Sequence, residues 1–266
     1  MDRLKDKIAL VTGSSRGIGA AIAKLFAREG AKVALHGRDA GALYTVLAEI
    51  GRAGGQAGHV TGDTTKFSDI EAMRRQIERE FGSIDILVAN AGGSITKLGP
   101  IEQTSEEEWR ASIDGNLTAT FLTIKSFLPG MKERRTGNII TISSAAARRP
   151  HPVSPIPYAA AKAGIEILSQ DLAAQAGPYG IRVNCIAPET ILTERNRKRI
   201  PADQQKALLD QHPIKRLGTP EDVAHAALYL ASDARRGSRA LSWMWPAGPS
   251  WCERPAATLV ARIEHV

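Results

Sequence analysis

Short apolar strands alternate with helical segments over most of the chain, and this alternation constrains the fold more than any other feature. Six candidate strands rich in β-branched residues occur, each followed by helical periodicity, at residues 7–12, 32–36, 58–61, 84–89, 138–142 and 181–186. Strands this short and continuously apolar predict an α/β fold, a single doubly wound domain with a mostly parallel sheet. Right-handed crossovers then place the carboxyl ends of the strands along one edge, where ligands bind.

The composition excludes several classes of protein. Of the 266 residues, 43% are hydrophobic and 24% are charged, which is ordinary for a globular protein with a buried core. No apolar run approaches the ~18 residues that a membrane span requires. The two cysteines, Cys185 and Cys252, form neither a disulfide framework nor a metal-ligand cluster. The first seven residues lead from charge into a strand without a signal-peptide core, so we expect a cytoplasmic protein with no metal and no membrane partner.

The net charge of +7 raises the question of a nucleic-acid partner. Residues 234–266 hold five arginines and two glutamates, so much of the excess lies in this last segment. Elsewhere the charges mix both signs along helix faces such as 73–80, and no stripe of basic residues interleaved with aromatics occurs. We therefore expect no nucleic-acid partner, and a nucleic-acid-binding module is the weakest hypothesis for the function of this chain.

A glycine-rich turn, Thr12-Gly-Ser-Ser-Arg-Gly-Ile-Gly, ends the first strand and leads into a helix. Gly13 permits a tight turn, Gly17 permits the close approach of a pyrophosphate, and Gly19 lets the helix lie against the strand. The helix N-terminus offers free N–H groups and a partial positive charge to the anion. A glycine-rich turn can also be a turn and nothing more, but here the strand-turn-helix context favours nucleotide binding.

The Gly-x-x-x-Gly-x-Gly spacing resembles the classical short-chain dehydrogenase/reductase family. Further matches follow in the family's order over roughly residues 5–233: Asn90-Ala91-Gly92 after the fourth strand, Ser144 at the end of the fifth, Tyr158-x-x-x-Lys162 on the next helix, Pro188 after the sixth strand, and Pro220-Glu221-Asp222 at a late helix. Within the family the chain looks most like the 3-oxoacyl-(acyl-carrier-protein) reductases and their relatives. The resemblance implies a Rossmann-type domain over residues 1–233. It also implies hydride transfer between a nicotinamide and a carbonyl or secondary alcohol, such as a 3-oxoacyl thioester or small ketone.

The end of the second strand bears on which nicotinamide cofactor is used. Gly37 occupies the position where NAD-selective members of the family carry Asp, Arg38 follows it, and Arg16 projects from the glycine-rich turn. Two guanidinium groups would give charge-assisted contacts to a 2′-phosphate, which favours NADP(H). The alternative is that both are solvated surface arginines, with Asp39 partly neutralising Arg38.

The resemblance also implies the remaining cofactor contacts. Asp63 and Thr64 would bracket the adenine, and Ile191 and Thr193 would hold the carboxamide and pyrophosphate. The full expected set is Gly13, Ser15, Arg16, Gly17, Ile18, Gly19, Arg38, Asp63, Thr64, Asn90, Ala91, Gly92, Tyr158, Lys162, Pro188, Ile191 and Thr193. One departure from the family is Glu189, where Pro-Gly is usual. A side chain at position 189 would narrow the nicotinamide end of the site or change its charge.

Tyr158 and Lys162 lie at i and i+4, hence on one face of a helix. A phenol with a pKa near 10 is a poor base at pH 7, and we expect the ammonium of Lys162, with the positive nicotinamide, to lower the pKa of Tyr158. In carbonyl reduction the same phenol is the general acid. Lys162 would also bind the nicotinamide ribose, Ser144 would polarise the substrate oxygen, and Asn116 matches the family position whose backbone holds a proton-relay water. Taken alone, the Tyr158–Lys162 pair is explained equally well as an ordinary helix face, and Ser144 as a hydroxyl at the end of a strand. All of these residues nevertheless occur on the predicted elements in the family's order, which favours a catalytic role.

The substrate itself is not specified by the sequence. The loop at residues 148–157 contains four prolines, and the interval from Ser144 to Tyr158 is one residue longer than is common in the family. The basic run at residues 194–199 could attract an acidic substrate or carrier protein, or be a solvated lid helix. The main rival hypothesis is a nucleotide-binding protein without turnover, either a sensor or a product damaged at its C-terminus. A dimer or tetramer is expected if the C-terminus permits.

The C-terminal segment, residues 234–266, departs from the family pattern. Members continue into an Ile-Thr-Gly turn and a last strand ending near Asp-Gly-Gly, whereas this chain places three of its four tryptophans within residues 243–251. If the segment is foreign to the fold, the last edge strand would be missing or replaced, which would leave the neighbouring edge unpaired. In the family this region also helps to build the tetramer interface.

The genetic code links this segment to the expected ending. Residues 243–245 must be encoded TGG-ATG-TGG and Pro246 begins CC, so reading from each third base gives Asp-Val-Ala. In that frame residues 247–248 permit Gly-Gly, residues 238–240 permit Ile-Thr-Gly, and residues 252–253 permit a stop codon. We interpret residues 234–266 as the product of a reading-frame slip near residues 233–237, natural or from sequencing. The alternative is a genuinely divergent tail.

Sequencing the encoding DNA across codons 230–255 tests this interpretation. We expect a one-frame slip upstream of codon 238, with the other frame encoding Ile-Thr-Gly, a strand and Asp-Val-Ala-Gly-Gly. An unambiguous open frame that matches the present tail, with no likeness to the family in the other frame, would contradict it.

Overall fold

A computed structural model of the chain describes residues 2–151, 154–211, 214–232 and 242–244. Strands and helices alternate as expected, and each of the six predicted strands is found with ends that differ by at most two residues. In chain order the elements are β1 (Ile8–Val11), α1 (Gly17–Arg28), β2 (Lys32–Gly37), α2 (Ala40–Arg52), β3 (Gln56–Thr61), α3 (Phe67–Glu80), β4 (Ile86–Ala89), α4 (Glu106–Ile113), α5 (Ala119–Arg134), β5 (Gly137–Ile142), α6 (Ile156–Ala176), β6 (Ile181–Ala187), α7 (Glu194–Arg199), α8 (Ala202–Gln211), α9 (Pro220–Ala231) and β7 (Ser242–Met244).

The sheet has the order β3-β2-β1-β4-β5-β6-β7, and every adjacent pair is parallel. The chain runs outward from β1 to β3, then returns to the other side of β1 with β4. This reversal opens a crevice at the carboxyl ends of β1 and β4, which is where doubly wound sheets bind their ligands. The prediction of one doubly wound α/β domain is confirmed.

A short seventh strand corrects the expectation about the sheet edge. Residues 242–244 pair in parallel with Cys185–Ala187 of β6. Of the two alternatives, a missing or a replaced last strand, the structure therefore has the replaced one: three residues of the unusual tail occupy the edge. The other residues of the predicted tail segment, 234–241 and 245–266, lie outside the described residues.

The core lies in two layers because successive residues of each strand point to opposite faces of the sheet. Ala9 and Val11 belong to the layer covered by α1, α2 and α9, whereas Leu10 between them belongs to the layer covered by α3, α5 and α6. Both layers are built from side chains that are almost completely buried. Among the described helices, none is long and apolar enough to cross a membrane. The edge of the sheet at which the carboxyl ends of the strands meet is thus supported by packed side chains on both faces.

Candidate active site

A cleft of about 590 Å³ opens at the carboxyl edge of the sheet, where the order of the strands reverses. Thirteen of the predicted site residues line it: Gly13, Arg16, Gly17, Ile18, Gly19, Asn90, Gly92, Ser144, Tyr158, Lys162, Pro188, Ile191 and Thr193. Six others are not part of the lining: Ser15, Arg38, Asp63, Thr64, Ala91 and Asn116. The structure therefore brings most of the predicted residues, from distant parts of the sequence, to one place.

The glycine-rich turn forms a cradle that side chains would fill. Gly13 and Gly17 have φ angles of 65° and 57°, in the left-handed region that favours glycine. A Cβ on Gly19 would lie 2.3 Å from the carbonyl oxygen of Gly13, so only glycine lets α1 approach β1 this closely. The N-terminus of α1 has no side-chain cap and no acidic residue in its first turn. Its N–H groups are suited to a phosphate, so the cradle fits a dinucleotide.

His36 holds this turn in place, a role that the sequence reasoning missed. The backbone N–H of Gly13 donates to Nδ1 of His36 at 3.2 Å, and Nε2 lies 3.2 Å from the carbonyl oxygen of Gly62. This pairing requires the neutral ring, with Nε2–H donating. Burial lowers the pKa of His36, which favours the same neutral form. A polar residue in an otherwise apolar strand was the only signal in the sequence.

Asn90 fastens the end of β4 to the same turn. Its Nδ2 donates to the carbonyl oxygens of Thr12 and Gly13, at 2.9 and 3.2 Å. The hydroxyl oxygen of Thr12 accepts from the backbone N–H groups of Asn90 and Ala91, both at 3.0 Å. Asn90 thus lines the cleft and also holds the glycine-rich turn in place. Ala91 does not line the cleft and contributes only its backbone N–H group.

The charges at the end of β2 are paired differently from the expectation. Arg16 forms an ion pair with Asp39 at 3.6 Å, and Asp39 also caps α2 by accepting from Ala42 N at 3.1 Å. Asp39 therefore neutralises Arg16 rather than Arg38. The N–H of Thr65 donates to Asp63 and holds the pKa of that carboxyl below its ordinary value, and the charge of Arg38 contributes to this shift.

Lys162 is buried in the floor of the cleft, with only 4% of its surface exposed. Its Nζ donates to the carbonyl oxygen of Ile142 at 2.7 Å and lies 5.6 Å from the centre of the Tyr158 ring. Burial lowers the pKa of Lys162 to about 8. The side chain of Ser144 lines the cleft beside Tyr158 and acts on its phenol, whose pKa it would lower by itself. Ser144, Tyr158 and Lys162 therefore form one contiguous group.

The protein groups alone raise the pKa of Tyr158, whereas the expected lowering counted the charge of Lys162 together with that of the bound nicotinamide. Burial is the largest cause, and it outweighs the opposing effects of the Ser144 side chain and of the charges of Arg195 and Arg199. The Lys162 ammonium lies under the ring and donates to the backbone of β5 instead of to the phenol oxygen. The phenol is therefore held in its protonated form, the form that a general acid needs.

Asn116 is fully buried behind the cleft, in a π-helical segment at Asp114–Thr118. Its Oδ1 accepts from the N–H of Gly93 at 2.9 Å, and its Nδ2 donates to the carbonyl oxygens of Gly93 and Ser112 at 3.2 and 2.8 Å. A Cβ on Gly92 would lie 2.5 Å from Asn116 Oδ1. The side chain thus positions the segment after β4, and π-helical turns of this kind are frequent at functional sites.

Glu189, which replaces the glycine usual in the resembled family, is a buried carboxylate with 6% of its side chain exposed. Its two oxygens accept from Arg149 Nη2 at 2.6 Å and pair with His151 Nε2 at 2.7 Å. Burial alone would raise the pKa of Glu189, but these two partners outweigh it and the pKa is lowered. Glu189 thereby ties the proline-rich loop to the segment after β6. The sequence reasoning missed His151, which lines the cleft.

Comparison with known proteins agrees with this geometry. The family model described as Enoyl-(Acyl carrier protein) reductase matches residues 13–242. The chain is 40% identical to glucose 1-dehydrogenase 2 of Bacillus subtilis, over 86% of this chain and 89% of that protein. It is 39% identical to the 3-oxoacyl-[acyl-carrier-protein] reductase of Chlamydia muridarum, over 86% and 92%. A solved 7α-hydroxysteroid dehydrogenase, complexed with NADH and 7-oxo glycochenodeoxycholic acid, superposes with a TM-score of 0.85 at 35% identity, covering 91% of this chain and 94% of that one.

The buried ammonium predicts a characteristic pH dependence of stability. Folding lowers the pKa of Lys162 from 10.5 to about 8, so between these values the unfolded chain holds a proton that the folded protein has released. The free energy of unfolding should therefore rise with pH across this window, by ~3 kcal/mol from this one group. Lys162→Met should remove that rise.

Chemical denaturation of both proteins between pH 7 and 10 measures the effect. The charge of Lys162 also acts on the thiol of Cys185, so both proteins carry Cys185→Ala. The difference between the two curves then isolates Lys162, and the loss of the Ile142 hydrogen bond adds only a constant offset. Parallel curves would show that the ammonium is not destabilised by burial.

Proposed function

The chain belongs to the short-chain dehydrogenase/reductase family of oxidoreductases, and from this we propose that it transfers a hydride between NADP(H) and the carbonyl or secondary alcohol of a small molecule. The observation that carries the proposal is the contiguous group of Ser144, Tyr158 and Lys162 beside a glycine-lined cradle. A 3-oxoacyl thioester or a small ketone is the substrate class that we favour. The rival is a nucleotide-binding protein of the same fold without turnover.

The residues present fit a nicotinamide dinucleotide. Gly13, Gly17 and the uncapped start of α1 would hold the pyrophosphate, because a Cβ at either glycine would be strained and the N–H groups are free of side-chain caps. Asp63 and Thr64 would bracket the adenine. Asn90, Gly92, Pro188, Ile191 and Thr193 would line the nicotinamide end, where all five border the cleft. When bound, the cofactor supplies or accepts the hydride.

The roles of the catalytic residues follow from their contacts. The hydroxyl of Ser144 would donate to the substrate oxygen and stabilise the negative charge that develops there. The Tyr158 phenol would give its proton to that oxygen during reduction, and burial keeps it protonated until then. Lys162 would hold the ribose hydroxyls. Asn116 keeps the segment after β4 in place, and we propose that its backbone holds a water that returns a proton to the site.

The preference for NADP(H) is supported by charge at the end of β2. Gly37 presents no carboxylate to repel a 2′-phosphate, and a Cβ there would meet Ser15 Cβ at 3.3 Å. Arg38 is exposed, its charge acts on Asp63, and it forms no ion pair within 4.0 Å of a carboxylate among the described residues. Arg16 forms an ion pair with Asp39 at 3.6 Å. This pair is long and exposed, so Asp39 competes only weakly with a phosphate for the guanidinium of Arg16. Arg38 is therefore the principal candidate for the phosphate contact.

The oligomeric state belongs to the same proposal. Large apolar side chains remain exposed on three helices of one layer: Trp109 of α4, Phe121 of α5 and Ile167 of α6 are 41%, 46% and 58% exposed. Exposed apolar groups of this size are typical of a face that associates with another copy. We propose a homo-oligomer, a dimer or a tetramer, acting in the cytoplasm without a membrane or nucleic-acid partner.

The division of the chain at residue 233 is likewise a proposal. The matches to the two relatives above extend over 233 and 231 residues, 86% of this chain in each case. The family model ends at residue 242, the first residue of β7. The family model thus runs nine residues past this boundary, and the proposal rests on the change in sequence pattern after Asp233, from which we infer that residues 1–233 form the family domain and residues 234–266 are the product of a frame slip.

The cofactor proposal predicts that NADPH binds more tightly than NADH. A charge-assisted contact to the 2′-phosphate implies a preference of roughly ten- to a hundredfold. Arg38→Asp should erase or reverse it, because a carboxylate repels the phosphate and can accept from a ribose hydroxyl. Arg75→Asp, the same change of charge on an exposed face of α3, is the control and should leave the ratio unchanged. Fluorescence titration of both nucleotides measures the two affinities, and equal affinities in the unmodified protein would contradict the proposal.

Oxidation of NADPH with a panel of carbonyl compounds tests turnover. The names of the relatives suggest the panel: 3-oxoacyl thioesters, a 7-oxo steroid, and simple ketones, with glucose for the reverse reaction with NADP⁺. We expect NADPH oxidation that depends on one of these substrates. Tight nucleotide binding without oxidation across the panel would favour the rival, a binding protein.

A further inference from the structure

Two arginines of α7 reach across the mouth of the cleft. Arg195 and Arg199 are i and i+4 on this short helix and therefore lie on one face. Both donate to the carbonyl oxygen of Ser94, Arg199 from Nη1 at 3.1 Å, and Nη2 of Arg199 also lies 3.4 Å from the carbonyl oxygen of Thr96. Both line the cleft, on the wall that faces the segment after β4.

Their position is on the substrate side and not on the phosphate side. The charges of both arginines act on the phenol of Tyr158, whereas the charge of Arg16, beside the glycine-rich turn, acts on Glu194. A Cβ on Gly93 would lie 3.2 Å from Nη1 of Arg195, so this guanidinium lies directly against the segment that Asn116 holds. The two cations therefore border the space next to the reacting hydroxyls.

Neither guanidinium is neutralised by an acidic neighbour among the described residues. The two carboxylates that line the cleft have other partners: Glu194 pairs with Lys198 at 2.7 Å, and Glu189 pairs with Arg149 and His151. Each arginine has five N–H donors, and the carbonyl oxygens of residues 94 and 96 use only some of them. Positive charge and donors are thus left facing the cleft.

A hydroxyl without a partner lies at the same wall. The side-chain oxygen of Ser94 is buried and makes no hydrogen bond, and Ser94 lines the cleft. Buried polar atoms are normally paired, so this hydroxyl beside two cations is a candidate donor to a ligand in the cleft once its side chain rotates toward it. An oxyanion is the acceptor that satisfies both the hydroxyl and the guanidinium groups.

We propose that the substrate is a carbonyl compound that also carries an oxyanion group, a carboxylate or a phosphate, held by Arg195, Arg199 and the hydroxyl of Ser94. This inference rests on the proposed hydride transfer and names the class of its substrate. The reacting carbonyl lies at Ser144 and Tyr158, and the anionic group extends toward α7.

Matched pairs of substrates test the proposal. We would compare 3-oxobutanoate with its methyl ester, and dihydroxyacetone phosphate with dihydroxyacetone, so that carboxylate and phosphate are examined separately. In at least one pair the anionic member should have a kcat/KM that is roughly tenfold or more higher. Arg195→Gln and Arg199→Gln should each remove most of this advantage through KM, while the neutral member changes by less than about twofold. Arg197→Gln is the control, because Arg197 is on the same helix but does not line the cleft.

A binding measurement separates failure of this inference from failure of the proposed function. Calorimetric titration with butanoate and with butanamide, in the presence of NADP⁺, needs no turnover. Tighter binding of butanoate that is lost in Arg195→Gln supports anion recognition even if no carbonyl is reduced. The proposal is overturned if neutral members are preferred in both pairs, or if the two variants affect anionic and neutral ligands alike, since the arginines would then only hold the loop.

Discussion

The close contact between the start of α1 and the end of β1 determines where every other part of the site can lie. A Cβ on Gly19 would meet the carbonyl oxygen of Gly13 at 2.3 Å, so the helix can approach the strand only through glycine. That same carbonyl oxygen accepts from Asn90, and the N–H of Gly13 donates to His36. Because β2 and β4 flank β1, these bonds join three neighbouring strands beneath the cradle. A shift of the turn would move the cleft floor with it.

The burial of charge is the second constraint on the site. Lys162 has its ammonium in the floor of the cleft, where desolvation lowers its pKa to about 8 and a single backbone carbonyl accepts from it. Glu189 is also buried, but it has two basic partners and its pKa stays low. A buried charge that has too few hydrogen-bonding or ionic partners destabilises the folded protein. Such charges concentrate at functional sites, where a ligand or the reaction supplies the missing partner. Lys162 fits this description, whereas Glu189 fits a structural tie between two loops.

Local patterns in the sequence were enough to predict the sheet, the glycine-rich turn and the Tyr158–Lys162 pair. In each case the information lies within a few residues: apolar runs, glycine spacing, or an i,i+4 relation. The contacts of His36, of Glu189 with His151, and of Asp39 with Arg16 could not be predicted in this way, because their partners come together only when distant strands or loops pack. The expected lowering of the Tyr158 pKa, which included the charge of a bound nicotinamide, stays a prediction, and for the protein alone the shift is upward. Its largest cause is burial by the surrounding fold and not the neighbour four residues away.

The central claim is that the phenol of Tyr158 exchanges the proton in the proposed reaction, and Tyr158→Phe tests it most directly. The change keeps the ring and its packing but removes the hydroxyl that lies in the cleft beside Ser144. Steady-state kinetics with the best substrate found, together with NADPH titration, should show unchanged nucleotide affinity and a kcat lower by ~10²–10⁴, the usual contribution of general acid–base catalysis. Lys162→Ala should instead weaken nucleotide binding and turnover together. A Tyr158→Phe enzyme that retains nearly full kcat would contradict the account, since another group would then have to supply the proton.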